Sequence, residues 1–251
     1  MPEFLIVRLY GPLASWGGIA VGQYRPAESH PSWSGVLGLV AAALGIRRED
    51  VAGQAALRES YHMATLVHTE GTLLRDYHTT QVPSATVKKR AWPFATRREE
   101  LSVPRDHLNT ILSSREYYCD TLATVALWPM VDDPPYSLAE IAEALRHPAF
   151  VPYLGRKSCP LALPLLPQVV EGADLYEAFS AVRFPDQEIL ADIPGRGDSG
   201  TLFWDSEGET GFESENTYTA PRRDVPLDRM TWQFAERDEH RAQVLVPEGV
   251  R

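Results

Sequence analysis

Two cysteines, Cys119 and Cys159, are all that a chain of 251 residues contains. They are too few for a disulfide framework, and a reduced intracellular protein is the simplest expectation. No CxxC or HExxH spacing occurs, so the sequence gives no support for a metal site, and no cofactor is expected. No apolar run reaches the length that spans a bilayer, so no membrane partner is expected. The start, Met1-Pro2-Glu3-Phe4, lacks the basic segment and apolar stretch of a signal peptide. Internal repeats and low-complexity tracts are also missing. A cytoplasmic globular protein remains, with 44% hydrophobic and 23% charged residues. Its length suits one large domain, or one with a smaller second unit, and its 20 prolines and 17 glycines suggest long connecting loops.

The net charge of −10 argues at first against a nucleic-acid partner, because polyanions repel. Mapping the charge reverses that reading. Residues 186–216 hold nine acids (Asp186, Glu188, Asp192, Asp198, Asp205, Glu207, Glu209, Glu213, Glu215) against Arg196. Residues 85–115 hold seven bases (Lys88, Lys89, Arg90, Arg97, Arg98, Arg105, Arg115) against Glu99, Glu100 and Asp106. From Ala144 to Val170 there are Arg146, Arg156 and Lys157 and no acid. Screening acts over only about 8 Å at cellular salt, so local patches matter more than the total. The acidic stretch is expected to face solvent or to be locally mobile, because like charges repel.

Periodicity gives a coarse order of elements. Phe4 to Leu9 (FLIVRL) reads as a buried strand. Trp33 to Ile46 reads as an apolar helix, with Ser32 or Ser34 as its cap and Gly45 at its end. Asp50 to Glu59 suggests a short helix, and Tyr61 to Thr69 and Thr121 to Trp128 suggest strands. Ser137 and Glu140 form a capping box before a helix over Leu138 to Arg146, which Pro148 stops. Leu161 to Leu166, broken by Pro164, is the next apolar run. Two strand-helix-strand units in series predict an α+β fold, a ferredoxin-like sheet with helices on one face. The basic insert over residues 79–114 divides this palm into 1–78 and 115–170. Residues 171–251 are expected to form a small C-terminal lobe with strands near Phe203-Trp204 and Met230 to Phe234.

Four constellations could carry chemistry. The turn Gly11 to Gly18 could let a ligand backbone approach, or could be a strand-ending turn with Trp16 in the core; no Gly-Lys-Ser/Thr makes it a P-loop. In Lys88-Lys89-Arg90-Ala91-Trp92-Pro93-Phe94 with Arg97 and Arg98, cations interleave with aromatics. That suits single-stranded nucleic acid, where cations meet phosphates and rings stack on bases; the bland reading is a solvated loop. Tyr153-Leu154-Gly155-Arg156-Lys157-Ser158 is either a phosphate grip or an exposed turn. Tyr77-His78 and His107 could serve acid–base work in RNA cleavage, but spacing fixes no second catalytic group beside them.

Several blocks in order resemble one family. They are Leu9-Tyr10-Gly11-Pro12-Leu13-Ala14-Ser15-Trp16-Gly17; Arg25-Pro26, His30-Pro31-Ser32 and Ser34-Gly35-Val36-Leu37-Gly38-Leu39; Arg75-Asp76-Tyr77-His78-Thr79; Arg115-Glu116-Tyr117-Tyr118-Cys119-Asp120; and Pro152 to Leu161. Together they resemble the CasD-type, Cas-five subunits of the type I-E CRISPR Cascade complex, members of the RAMP superfamily. The resemblance implies a ferredoxin-like palm with an inserted β-hairpin-like thumb. It implies binding of the repeat-derived 5′ handle of a guide RNA, and capping of the backbone filament in prokaryotic antiviral defence. Implied partners are the guide RNA, the Cascade backbone subunits, the large subunit, and target DNA within the complex. Implied RNA contacts fall on Trp16, Arg25, Ser34, Arg115, Tyr153, Arg156 and Lys157, with Lys88, Lys89, Arg90 and Arg97 in the thumb. A sibling type uses this subunit as a metal-independent endoribonuclease with an adjacent lysine and histidine. No Lys-His pair occurs here, so a non-enzymatic subunit is expected and precursor-RNA cleavage is the alternative.

Overall fold

A computed structural model describes residues 1–87, 94–185, 187–206, 208 and 210–251. Strand β1 (Glu3–Ala14) carries the FLIVRL run through the middle of the main sheet. Leu5, Val7 and Leu9 point into a core that includes Trp33, Leu37, Ile141 and Leu145, whereas Phe4 and Ile6 point into a second core with Phe179, Val182, Leu202 and Trp204. Both faces of this strand are covered, so its sequence is apolar on both rather than alternating, except at Arg8, which is buried with its guanidinium 5.0 Å from the Phe184 ring centroid.

The chain then makes short strands β2 (Trp16–Gly17), β3 (Tyr24–Arg25) and β4 (Ala27–Glu28). Helix α1 (Trp33–Leu44) follows. Ser32 is its N-cap, accepting from the Gly35 amide at 3.1 Å, and Gly45 ends it in the left-handed conformation at φ 79°. Helix α2 (Val51–Arg58) is capped by Asp50. After β5 (Tyr61–Thr69) the chain enters a long ribbon of β6 (Thr72–Pro83) and the first half of β7 (Leu108–Pro129). Their pairing runs from Thr72↔Cys119 to Pro83↔Leu108, and the single turn α3 (Arg97–Glu100) lies at the far end. The ribbon therefore begins before and ends after the 79–114 insert read from charge. Most of β6 is exposed, as expected of an arm rather than a core strand.

Helix α4 (Leu138–Arg146) has the capping box that Ser137 and Glu140 predict. Strand β8 (Gln168–Glu171), helix α5 (Leu175–Ala181) and strands β9 (Ser199–Trp204), β10 (Thr217–Asp228) and β11 (Gln233–Leu245) complete the chain. The sheet order is β10-β11-β9-β5-β7-β1-β8, with β3 and β6 also joined to β7. Every pairing along that order is antiparallel. Helices α1 and α4 cover one face, and α5 lies against the other.

Three sequence expectations need correction. The last strand beside β1 is Gln168–Glu171, because prolines at 160, 164 and 167 break the Leu161–Leu166 run. Residues 199–204 are not a mobile acidic surface: β9 sits between β11 and β5, with Leu202, Phe203 and Trp204 buried. Leu190 and Ile193, in the same acidic stretch, are buried too. Asp205, just past the strand, is itself largely buried and accepts from the Met63 amide at 3.1 Å. Met230 to Trp232 is the turn between β10 and β11, not a strand. The C-terminal segment thus continues the main sheet through β9. No helix among the described residues is long and apolar enough to cross a membrane.

Candidate nucleic-acid interface

The arm leaves the sheet at a sharp pivot. Gly71 has φ 72°, and a Cβ there would lie 1.9 Å from the Cys119 carbonyl oxygen. Opposite, Asp120 also adopts a positive φ of 57°. Just beyond, β3 lies parallel to β7, pairing Tyr24 with Ser114 and Arg25 with Arg115. The Ser114 amide donates to the Gln23 carbonyl at 3.0 Å.

Glu116 is the hub of this junction and is only 5% exposed. Arg75 Nε donates to its Oε1 at 2.9 Å, the Tyr24 hydroxyl donates to the same oxygen, and the Ala27 amide donates to Oε2 at 3.3 Å. The Tyr24 hydrogen bond, with those of Arg75 and Ala27, holds the Glu116 carboxyl below its usual range against the opposing effect of burial. The Glu116 carbonyl accepts from Ser15 Oγ at 2.8 Å and from Arg156 Nη1 at 3.2 Å. One residue therefore ties the arm, β3, the loop after β1 and the 153–160 turn together.

Arg156 is half-buried within this frame. Its Nη2 donates to the Arg25 carbonyl at 3.2 Å, and its guanidinium lies 5.0 Å from the Tyr117 ring centroid. Its guanidinium thus braces the scaffold that presents Arg25, rather than standing free as a phosphate grip. Gly155 allows the turn to close on β1: at φ 82°, a Cβ would lie 2.0 Å from the Ser15 carbonyl oxygen. Lys157, next in the turn, is exposed, and its side chain has no partner among the described residues.

Arg115 is exposed and its side chain has no hydrogen-bond or ionic partner among the described residues. Arg25 is exposed beside it, donating from Nη1 to the carbonyls of Gly22 at 2.5 Å and Tyr24 at 3.0 Å. Directly paired like charges destabilise a sheet unless an anion meets them.

The other expected residues divide. Trp16 is 2% exposed: its indole packs against Gly35 in the core and only borders a groove. The core-tryptophan reading of that turn is the one its burial matches. Ser34 is the second residue of α1 on the same groove, within 3.3 Å of the Ser32 hydroxyl, and Tyr153 is 40% exposed on the groove's rim. Arg97 is engaged within the arm, donating to Glu100 at 2.5 Å, to Thr80 Oγ1 at 2.9 Å and to the Gln81 carbonyl. Lys88, Lys89 and Arg90 lie outside the described residues. The structure therefore brings Arg25, Arg115, Arg156 and Lys157 to the base of the arm, and Trp16, Ser34 and Tyr153 to the groove beside it.

Residues that sequence reasoning missed line the same groove, of about 900 Å³: Arg48, Arg223, Arg229, Trp232 and Phe234. Their signal in the sequence is slight, because they come from the α1–α2 loop and from a hairpin almost two hundred positions later.

The family described as CRISPR-associated protein (Cas_Cas5) matches residues 4–239. The CRISPR system Cascade subunit CasD of Escherichia coli (strain K12) is 33% identical over 246 residues, covering 95% of each chain. Among solved structures, a chain described as CRISPR RNA-guided surveillance complex is similar over 98% of this chain and 92% of its own, at 26% identity and a TM-score of 0.65. A second, described as crystal structure of Cas protein, shares the fold over 99% of this chain and all of its own, at 24% identity and a TM-score of 0.62. This chain belongs to the Cas5 family of CRISPR-associated proteins.

Proposed function

We propose that this chain is a non-catalytic subunit of a CRISPR Cascade surveillance complex. It binds the repeat-derived 5′ handle of the guide RNA and caps the backbone filament. The observation that carries this reading is the Arg25–Arg115 pair. Two exposed cations, Arg25 and Arg115, sit opposite one another on paired strands at the foot of a protruding arm, with Asp76 facing Arg115 from the other side. Asp76 offsets part of the repulsion without an ion pair to either guanidinium, and a phosphate lying across both cations would be held by charge-assisted hydrogen bonds. The relative from Escherichia coli is a Cascade subunit and a similar solved chain is described as an RNA-guided surveillance complex, which supports a guide RNA and sister subunits as partners. We read β1, α1, β5, β7, α4 and β8 as the ferredoxin-like palm, in the spatial order β5-β7-β1-β8, and the β6–β7 ribbon as the thumb. A cytoplasmic site of action follows from these partners.

The geometry supports grip rather than cleavage. Metal-independent cleavage needs a base at the 2′-hydroxyl and an acid at the leaving oxygen, both within hydrogen-bond reach. His78 is paired with Ser113 on the arm, and the His107 carbonyl accepts from the Ser84 amide at 2.8 Å. Along β6 the two histidines are therefore six residues apart, about 20 Å at ~3.3 Å per residue. They cannot serve one phosphodiester together. The test is a single-turnover incubation of the purified complex with repeat-containing RNA. Retention of an intact handle is expected; a cyclic-phosphate product that disappears in His78→Ala or His107→Ala would establish the nuclease instead.

A further inference from the structure

We propose that the groove between α1 and the β10–β11 hairpin holds an unpaired base of the bound RNA, stacked on Trp232, with Arg223 meeting its phosphate. This rests on the guide-RNA reading above and names a second contact region for it. Trp232 is 56% exposed and has φ 55°. A bulky residue in the left-handed region is a strained choice, and here the strain gains no burial in the free chain. The strain instead presents a flat ring at the groove's mouth. The Arg48 guanidinium carbon lies 4.6 Å from that ring's centroid, and Phe234 stands beside it at 6.3 Å.

The charge lining the groove is mostly positive, and Asp228, in the turn that carries Trp232, is spent on its own turn, accepting from the Met230 amide and the Thr231 hydroxyl at 2.7 Å each. Arg48, Arg223 and Arg229 line the groove, and Asp224 is the only acid among its described lining residues. Asp224 is already neutralised: it accepts from Arg237 at 2.8 and 3.1 Å and from the Trp33 amide at 2.8 Å. Arg229 Nη2 donates to the Ser34 carbonyl at 2.8 Å, while its Nε is buried without a partner. Burial, then the neighbouring Arg48, weaken its hold on its proton. Arg223 is exposed and uses only Nε, on the Phe234 carbonyl at 3.1 Å, so its terminal amines point to no partner among the described residues. An aromatic–guanidinium stack flanked by one free guanidinium, that of Arg223, suits a base and its phosphate together. An acidic peptide would use the cations and leave the ring idle.

The groove is also continuous with the base of the arm. Tyr153 and Gly155 line it, and the same turn carries Arg156 and Lys157 toward Arg25 and Arg115. A single strand can therefore pass from the arm, over that turn, to Trp232.

The experiment uses complexes assembled with the sister subunits and guide RNAs carrying one 2-aminopurine at each handle position in turn. In the wild type, at least one position should be quenched. That position should brighten several-fold in Trp232→Ala and stay quenched in Trp232→Tyr. Trp232→Ala should also release RNA about tenfold faster, and Arg223→Ala should lower the salt dependence of release. Unchanged thermal midpoints exclude misfolding, which is expected because both side chains are exposed. Retained RNA with no responsive position would overturn the proposal, as would ultraviolet cross-links from residues 229–234 to a partner protein rather than to RNA. A wild-type complex that carries no RNA would instead remove the reading on which the proposal rests, and the proposal with it.

Discussion

Arg75 Nε and Glu116 Oε1 lie 2.9 Å apart across β6 and β7, and this contact fixes the arm where it leaves the sheet. Because Tyr24 and the Ala27 amide share the same carboxylate, Glu116→Gln removes a charge and puts an amide hydrogen against donors. The Arg75 and Tyr24 donors are exposed and can turn to water, so the loss should fall toward the low end of the about 1–3 kcal/mol that an unpaired buried donor costs. The substitution should lower the denaturant midpoint by a corresponding amount and loosen β3, weakening RNA retention as well. An unchanged midpoint in urea would show that the junction does not depend on this charge.

Gly71→Ala should damage the same pivot through the backbone. The φ of 72° and the 1.9 Å approach to the Cys119 carbonyl leave no room for a Cβ. The arm would have to shift, and a loss of at least about 2 kcal/mol is expected. Circular dichroism melts of the purified variant give the check, and wild-type stability would refute the clash.

Arg115→Ala should speed loss of guide RNA from the complex roughly tenfold, with little change in melting temperature, because the side chain supports nothing in the free chain. Its effect should exceed that of any single substitution within Lys88 to Arg90. The backbone at Arg115 is fixed by pairing with both β3 and β6, which holds its guanidinium in place for a phosphate or a base. Filter-binding release rates at two salt concentrations decide this, and equal rates for wild type and variant would refute it.

Acid should destabilise the chain in two stages. Burial lowers the pKa of His30, and burial with the Arg196 charge holds His68 at about 3. The unfolded chain therefore takes up these protons first, and stability should begin to fall as the pH drops below about 6.5. Burial pushes the Glu239 carboxyl up, but the His30 hydrogen bond and the charges of Arg222 and Arg237 outweigh it and hold it at about 2. Its contribution is complete above the unfolded value, near 4.3, and is lost toward pH 2. Urea midpoints measured from pH 7 to 3 should decline throughout, less steeply between 7 and 5 in His30→Gln. A flat profile between pH 7 and 5 in the wild type would contradict the account.

The sequence by itself determined the elements that carry a strong local signal. FLIVRL is a strand covered on both faces, Ser32 and Gly45 bound α1, and Ser137 with Glu140 starts α4. It also marked Arg25, Arg115 and the 153–160 turn, because these lie in blocks that resemble a known family. Its long strands β10 and β11 were hidden, since their sequences are polar. They are held to α1 by a buried cluster in which Arg222 and Arg237 meet Asp224 and Glu239, and no local pattern announces such a cluster. The burial of β9 inside an acidic stretch was equally invisible, because charge per residue does not say which side chains a neighbouring strand covers. Only the tertiary structure decided that Arg156 braces while Arg115 stands free, and that Arg48 meets Trp232. Those outcomes depend on which backbone carbonyls and rings lie within reach, and chains brought together from distant positions set that distance.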